Sequence, residues 1–223
     1  MPPLYKEGHH MGGKPLPISQ ILDVNATLYS GDIILFSGQT HFSKLIRVVS
    51  DGRWSHCGMV FRDKDDNKIG AYIWDVSKKS FGGVVDLYDL QKRVADYDGA
   101  IAYRPLFRDG KQRGFGLAER EAFDAIYDDL SGRPYETSKL ELINAAIDIE
   151  IANYELARNE PDLSSVFCAE LLAETYQRLA LLGRHKSANE YVPADFGAAH
   201  LEMLEKGYYL GKEIPIKDVL DDA

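Results

Sequence analysis

Two periodicities divide this chain, and their order limits its fold more than any other feature. Between residues 31 and 103, short apolar runs alternate with turn residues. The first, Gly31-Asp32-Ile33-Ile34-Leu35-Phe36-Ser37-Gly38, is bounded by glycines, and runs at 54–61, 69–76, 84–87 and 100–103 follow. Runs of this length, rich in β-branched and aromatic residues, predict strands. The polar turn at 63–67 joins two of them as an antiparallel hairpin. From residue 117 the apolar residues instead recur at three- and four-residue spacing. Phe123, Ile126, Tyr127 and Leu130 form one stripe, stopped by Ser131-Gly132-Arg133-Pro134. Leu140, Ile143, Ala146, Ile147 and Ile151 form a second, and Phe167, Leu171, Leu172, Tyr176 and Leu179 a third. These stripes predict helices. Strands gathered ahead of helices specify an α+β fold with a sheet of about five strands. Short helices are expected at 41–50 and 87–94, and Asp195 is expected to cap a last one running to residue 204. Residues 18–29 read as a short helix or an extended arm.

The 223 residues suffice for a sizeable core, and no internal repeat divides them. The chain reads as one domain, 18–223, behind a flexible leader, 1–17, that is rich in Pro, Gly, His and Lys. His9-His10-Met11 in that leader is assigned no function. With 26 Lys and Arg against 35 Asp and Glu, the formal net charge of -9 repels a phosphate backbone, and no basic cluster offsets it, so nucleic acid is not expected as a partner. No apolar run reaches membrane-spanning length, and the leader lacks the apolar segment of a secretion signal. Two cysteines in such a chain fit a reducing compartment. The expectation is a cytoplasmic protein with both thiols free and no membrane anchor. No pair of His or Cys has zinc-ligand spacing, so neither metal nor cofactor is expected. The oligomeric state is left open.

The chemistry centres on Cys168. Ser164 and Ser165 are N-cap residues, so the helix of the third stripe starts there and places Cys168 in its first turn. Unpaired N–H groups and the helix dipole at such a position favour a thiolate. The competing reading is a small buried apolar residue. Along the 54–61 strand, His56 and Gly58 face one way while Cys57 and Met59 face the other, which makes Cys57 structural. Asp75 ends the following strand. Thiol, imidazole and carboxylate together are what nucleophilic cysteine catalysis uses: a nucleophile, a base, and a group that holds the base in its productive tautomer.

The segments Gly31-Asp32-Ile33-Ile34, Trp54-Ser55-His56-Cys57-Gly58-Met59-Val60, Pro134-Tyr135, Phe167-Cys168-Ala169-Glu170-Leu171 and Pro193-Ala194-Asp195 occur in that order. In this they resemble the circularly permuted papain-like amidases, the YiiX-like group of the NlpC superfamily. That family has a small antiparallel sheet with the cysteine helix packed against it, and its histidine strand precedes the cysteine helix. The resemblance implies Cys168 as nucleophile, His56 as base and Asp75 as the third polar residue, where many relatives look to have a glutamate. It also implies Tyr135 as a substrate-binding residue, against a core-packing reading of the same side chain. The function so implied is a cysteine amidase or peptidase that cleaves an amide bond of a small peptide-like or cell-wall-derived substrate through an acyl-enzyme. Two alternatives use the same fold: a lipid acyl hydrolase or acyltransferase, as in the related lecithin retinol acyltransferase group, and a non-catalytic binding protein.

Overall fold

Strand β1 (Ile33–Gly38), of sequence IILFSG, has no charged face, so a sheet containing it must be covered on both sides. The computed structural model, which describes residues 28–39, 41–62, 70–77, 84–133, 164–198 and 204–217, buries all six. β1 lies between β2 (His56–Arg62) and β5 (Gly99–Arg104), antiparallel to both. Beyond β2 come β3 (Ala71–Ser77) and β4 (Val84–Asp89), and beyond β5 comes β9 (Ile214–Lys217). The order is β4-β3-β2-β1-β5-β9, with every neighbouring pair antiparallel. A small second sheet joins β6 (Leu106–Arg108), β7 (Lys111–Gln112) and β8 (Tyr208–Leu210) in the order β7-β6-β8.

The α+β class holds, with corrections of detail. Among the described residues the main sheet has six strands, one more than the five apolar runs. The sixth, β9, contains Pro215, which cannot donate to a ladder and is tolerated because β9 is an edge. Helix α1 (His41–Val49) follows β1 as expected. Helix α2 (Leu90–Ala95) starts later than residue 87, because residues 87–89 complete β4 and the Asp89 carboxylate accepts the Lys92 N–H at 2.7 Å as a cap. Helix α3 (Leu117–Leu130) matches its stripe, and helix α4 (Ser164–Arg178) carries Cys168. Asp195 lies inside a 3₁₀ turn, Pro193–Phe196, where its carboxylate reaches back to the Val192 N–H at 3.0 Å and to Lys186 at 2.9 Å, and residues 199–203 of the helix expected to follow it lie outside the described residues. The leader, the 63–67 turn, the stripe at 140–151 and Tyr135 lie outside the described residues.

The helices cover opposite faces. On one, Ile33, Leu35, Met59 and Trp74 of the sheet meet Phe123 and Ile126 of α3 and Leu172 and Tyr176 of α4. On the other, Ile34, Phe36, Val60 and Ile73 meet Leu90 and Val94 of α2. Burying such side chains on both faces at roughly 1.5–3 kcal/mol each makes apolar contact the main force holding the layers. Polar ties add to this on α4: Trp74 Nε1 donates to Thr175 Oγ1 at 3.0 Å, and the Tyr176 hydroxyl donates to the Gly31 carbonyl at 2.5 Å. Gly31 has φ of 97°, and a Cβ there would lie 2.5 Å from the Phe115 ring, so glycine is needed at this corner. Among the described residues no helix is long and apolar enough to cross a membrane.

Candidate active site

His56 opens β2 opposite Phe36 of β1, so its ring lies on the face that carries Phe36, with the two ring centroids 5.5 Å apart. Asp75 is two residues past Ile73 on β3 and shares that face. Gly58, between His56 and Val60 on the same side, must be small: a Cβ would lie 2.7 Å from the Ile73 side chain. Cys57 points the other way, into the core beneath α4. The β2–β3 ladder pairs Met59–Arg62 with Ala71–Trp74. The N–H of Cys57 lies past the end of that ladder, and α4 delivers Cys168 there: Cys57 N–H donates to Cys168 Sγ at 3.3 Å.

Three of the four residues singled out in the sequence thus meet. His56 Nε2 lies 2.7 Å from Asp75 Oδ1, and the imidazole is hydrogen-bonded to Cys168. With Nε2 turned to Asp75, Nδ1 is the ring nitrogen left for the sulfur. All three are buried, at 1% exposure for Cys168, 4% for His56 and 0% for Asp75. Tyr135 lies outside the described residues.

The charges explain how such a cluster tolerates burial. Desolvation works against the Asp75 carboxylate, yet the charges of His56 and Arg93, the His56 hydrogen bond and the Val76 N–H at 2.7 Å outweigh it, and Asp75 stays below its ordinary range. Desolvation likewise opposes a charged His56, but the Asp75 charge, then that of Cys168, raises it to about 10. For Cys168, burial favours the thiol, while the hydrogen bond from Cys57 and the His56 charge bring it down to about 6. The balance is a thiolate–imidazolium pair anchored on a carboxylate. Cys57, buried and beside that thiolate, is pushed well above the ordinary thiol value.

The source of the thiolate's stabilisation differs from the expectation. Cys168 is the fifth residue of α4, one past the four whose N–H groups lack intrahelical partners. Its side chain leans back toward the first turn, but the donors the structure shows on the sulfur are the Cys57 N–H, the Cys57 thiol at 3.8 Å and His56. The Cys57 N–H had no signature in sequence, because every residue but proline has one.

Arg93 was also missed. From α2 its Nε donates to Asp75 Oδ2 at 3.1 Å, and its guanidinium lies over the rings of Phe36 and Tyr97, 5.4 and 5.9 Å from their centroids. Its Nη2 approaches His56 Nε2 at 3.2 Å. The 2.7 Å contact to Asp75 takes the Nε2 proton, so Arg93 faces the ring as a second cation rather than as a donor. The available signal was a basic residue three past Leu90 and beside Val94, on the buried stripe of α2.

No protein-family model matches the chain, and no curated protein does. Among solved structures it is similar to the metalloprotein yiiX from Escherichia coli O157:H7. That comparison gives 18% identity and a TM-score of 0.43, and covers 68% of this chain and 66% of that one. The chain therefore spans just under two thirds of that neighbour. Among the described residues, no group of three or more His, Cys, Asp or Glu side chains could hold a metal ion.

Proposed function

We propose that this protein is a cysteine hydrolase of the circularly permuted papain-like kind, acting on the amide bond of a small peptide-like or cell-wall-derived substrate. One observation carries the reading: Cys168 Sγ sits between the Cys57 N–H and the His56 imidazole, with the Asp75 carboxylate 2.7 Å behind the ring. The histidine strand preceding the cysteine helix, and the Ser-His-x-Gly and Phe-Cys-x-Glu segments, support the permuted papain-like assignment.

In this mechanism the Cys168 thiolate attacks the amide carbonyl, and the His56 imidazolium gives its proton to the departing amine, leaving an acyl-enzyme. Neutral His56 then takes a proton from water, whose oxygen attacks the acyl carbon. Thiolate and imidazolium are restored as the acid leaves. Asp75 holds the ring with Nδ1 toward the sulfur and balances its charge throughout.

The test is turnover of a panel of acyl amides, esters and thioesters by the wild type and by Cys168→Ala, with thermal melting in parallel. Amide hydrolysis lost in a folded Cys168→Ala protein is the expected result. Preference for long-chain acyl esters would move the substrate class to lipid, and turnover indifferent to Cys168→Ala would end the enzyme reading.

A further inference from the structure

No step of the hydrolytic cycle makes or breaks a bond to the Cys57 sulfur, although the chain's two cysteines, 111 residues apart in sequence, lie with their sulfurs 3.8 Å apart. Neither is in a disulfide, and both are buried. The Cys57 thiol donates toward Cys168 Sγ, so its sulfur already faces the atom it would bond. We infer that Cys57 and Cys168 form a reversible oxidation site, in which a small hydroperoxide oxidises Cys168 and Cys57 closes a disulfide onto it.

The chemistry balances with the groups present and the named oxidant. The Cys168 thiolate attacks the terminal oxygen of a hydroperoxide, forming an S–O bond as the O–O bond breaks. The alkoxide, or hydroxide from hydrogen peroxide, takes the proton of the His56 imidazolium and leaves as alcohol or water. Sulfur has lost two electrons and the peroxide has gained two, giving a sulfenic acid. The Cys57 sulfur then attacks the sulfenic sulfur: an S–S bond forms, the S–O bond breaks, and the Cys57 proton passes to the departing hydroxide, giving water. A two-electron thiol reductant reverses the result by thiol–disulfide exchange.

Two features favour this course over further oxidation. The sulfurs must close by only about 1.8 Å to reach disulfide distance, a contact already made in the reduced fold. A second peroxide would have to arrive from solution, whereas Cys57 attacks as a neighbour, with the advantage of an intramolecular reaction. The consequence is that the same sulfur is blocked reversibly as a disulfide instead of being lost as a sulfinic acid.

The test reads masses, so it stands whether or not the protein hydrolyses amides. Reduced wild-type protein is treated with a several-fold molar excess of hydrogen peroxide, quenched with N-ethylmaleimide and digested without reductant. The expected product is a Cys57–Cys168 linked peptide, two hydrogens lighter than its parts. Iodoacetamide labelling of Cys168 in undigested protein should fall roughly tenfold or more and return after dithiothreitol. In Cys57→Ala and Cys57→Ser the same treatment should convert Cys168 to sulfinic or sulfonic acid that dithiothreitol does not recover. Wild-type protein that gives only those acids, or whose Cys168 stays unoxidised, overturns the inference. So does dithiothreitol-reversible loss of labelling that persists in both Cys57 variants. Should neither variant fold, the wild-type peptide map decides alone.

Discussion

Asp32, just ahead of β1, and Asp75, on β3, are both fully buried carboxylates, and their ionisation moves in opposite directions. Asp32 follows the Gly31 corner and meets N–H groups: Leu106 at 2.7 Å, Tyr29 at 2.8 Å and the Gln112 side chain at 3.0 Å, with the Arg62 charge a minor influence. Those donors tie β1 to β6 and β7, but they do not offset desolvation, and burial raises Asp32 to about 7. Asp75 meets charges, His56 at 2.7 Å and Arg93 at 3.1 Å, and is held below its ordinary value. Hydrogen bonds alone make a buried carboxylate a fastener, whereas cations make it a counter-ion able to hold a neighbouring imidazole charged.

The comparison is broken most severely at Asp75. Asp75→Asn should keep the fold yet lower amide turnover on the order of 10³–10⁴-fold, because the amide permits the wrong imidazole tautomer and supplies no charge. Steady-state kinetics with melting in parallel checks this, and unchanged turnover would mean that another residue orients the ring. Asp32→Ala should do the reverse. It strands three donors and should cost about 3 kcal/mol of stability by denaturant titration, while the pH profile of the remaining folded enzyme stays where it was.

Arg93→Met sharpens the comparison by making Asp75 resemble Asp32. With one cation gone, turnover should fall on the order of tenfold as Asp75 loses a partner. The high-pH limb of the profile should move upward, since the ring no longer faces a second positive charge. A merely structural role for Arg93 would lower stability and leave that limb in place.

The smallest effect is the pH dependence of stability, where the two carboxylates act in different windows. Asp32 has its folded value raised from 3.8 to about 7, so the folded state binds the extra proton and stability falls as pH rises through that interval. Asp75 has a depressed folded value, so its contribution is present above 3.8 and lost as pH falls below it. Melting series for Asp32→Asn should lose the slope between about pH 4 and pH 7, and those for Asp75→Asn the slope at lower pH.

How much was legible beforehand follows from where each property is encoded. Strands β1, β2 and β3 announce themselves as short apolar runs bounded by turn residues, and helices α3 and α4 by apolar residues at a period of 3.6, while the alternation of side chains along a strand put His56 and Cys57 on opposite faces. Strands β8 and β9, of three and four residues, are too short to show a period. The meeting of Cys168 with His56 and Asp75 was expected from residue type and order. Its decisive parts, the Cys57 N–H left over where the β2–β3 ladder ends and the guanidinium that reaches Asp75 from α2, depend on strand register and helix placement that no local pattern records.

The central claim, that Cys168 is a thiolate held by His56 and Asp75, is tested most directly by the rate of Cys168 alkylation with iodoacetamide as a function of pH, read by mass against Cys57. The wild type should label at Cys168 far ahead of Cys57, with the rate rising through about pH 6, and His56→Ala should move that rise well upward toward the ordinary thiol range. A wild-type rise at the ordinary thiol pH, unmoved by His56→Ala, or Cys57 labelling as fast as Cys168, would contradict the account.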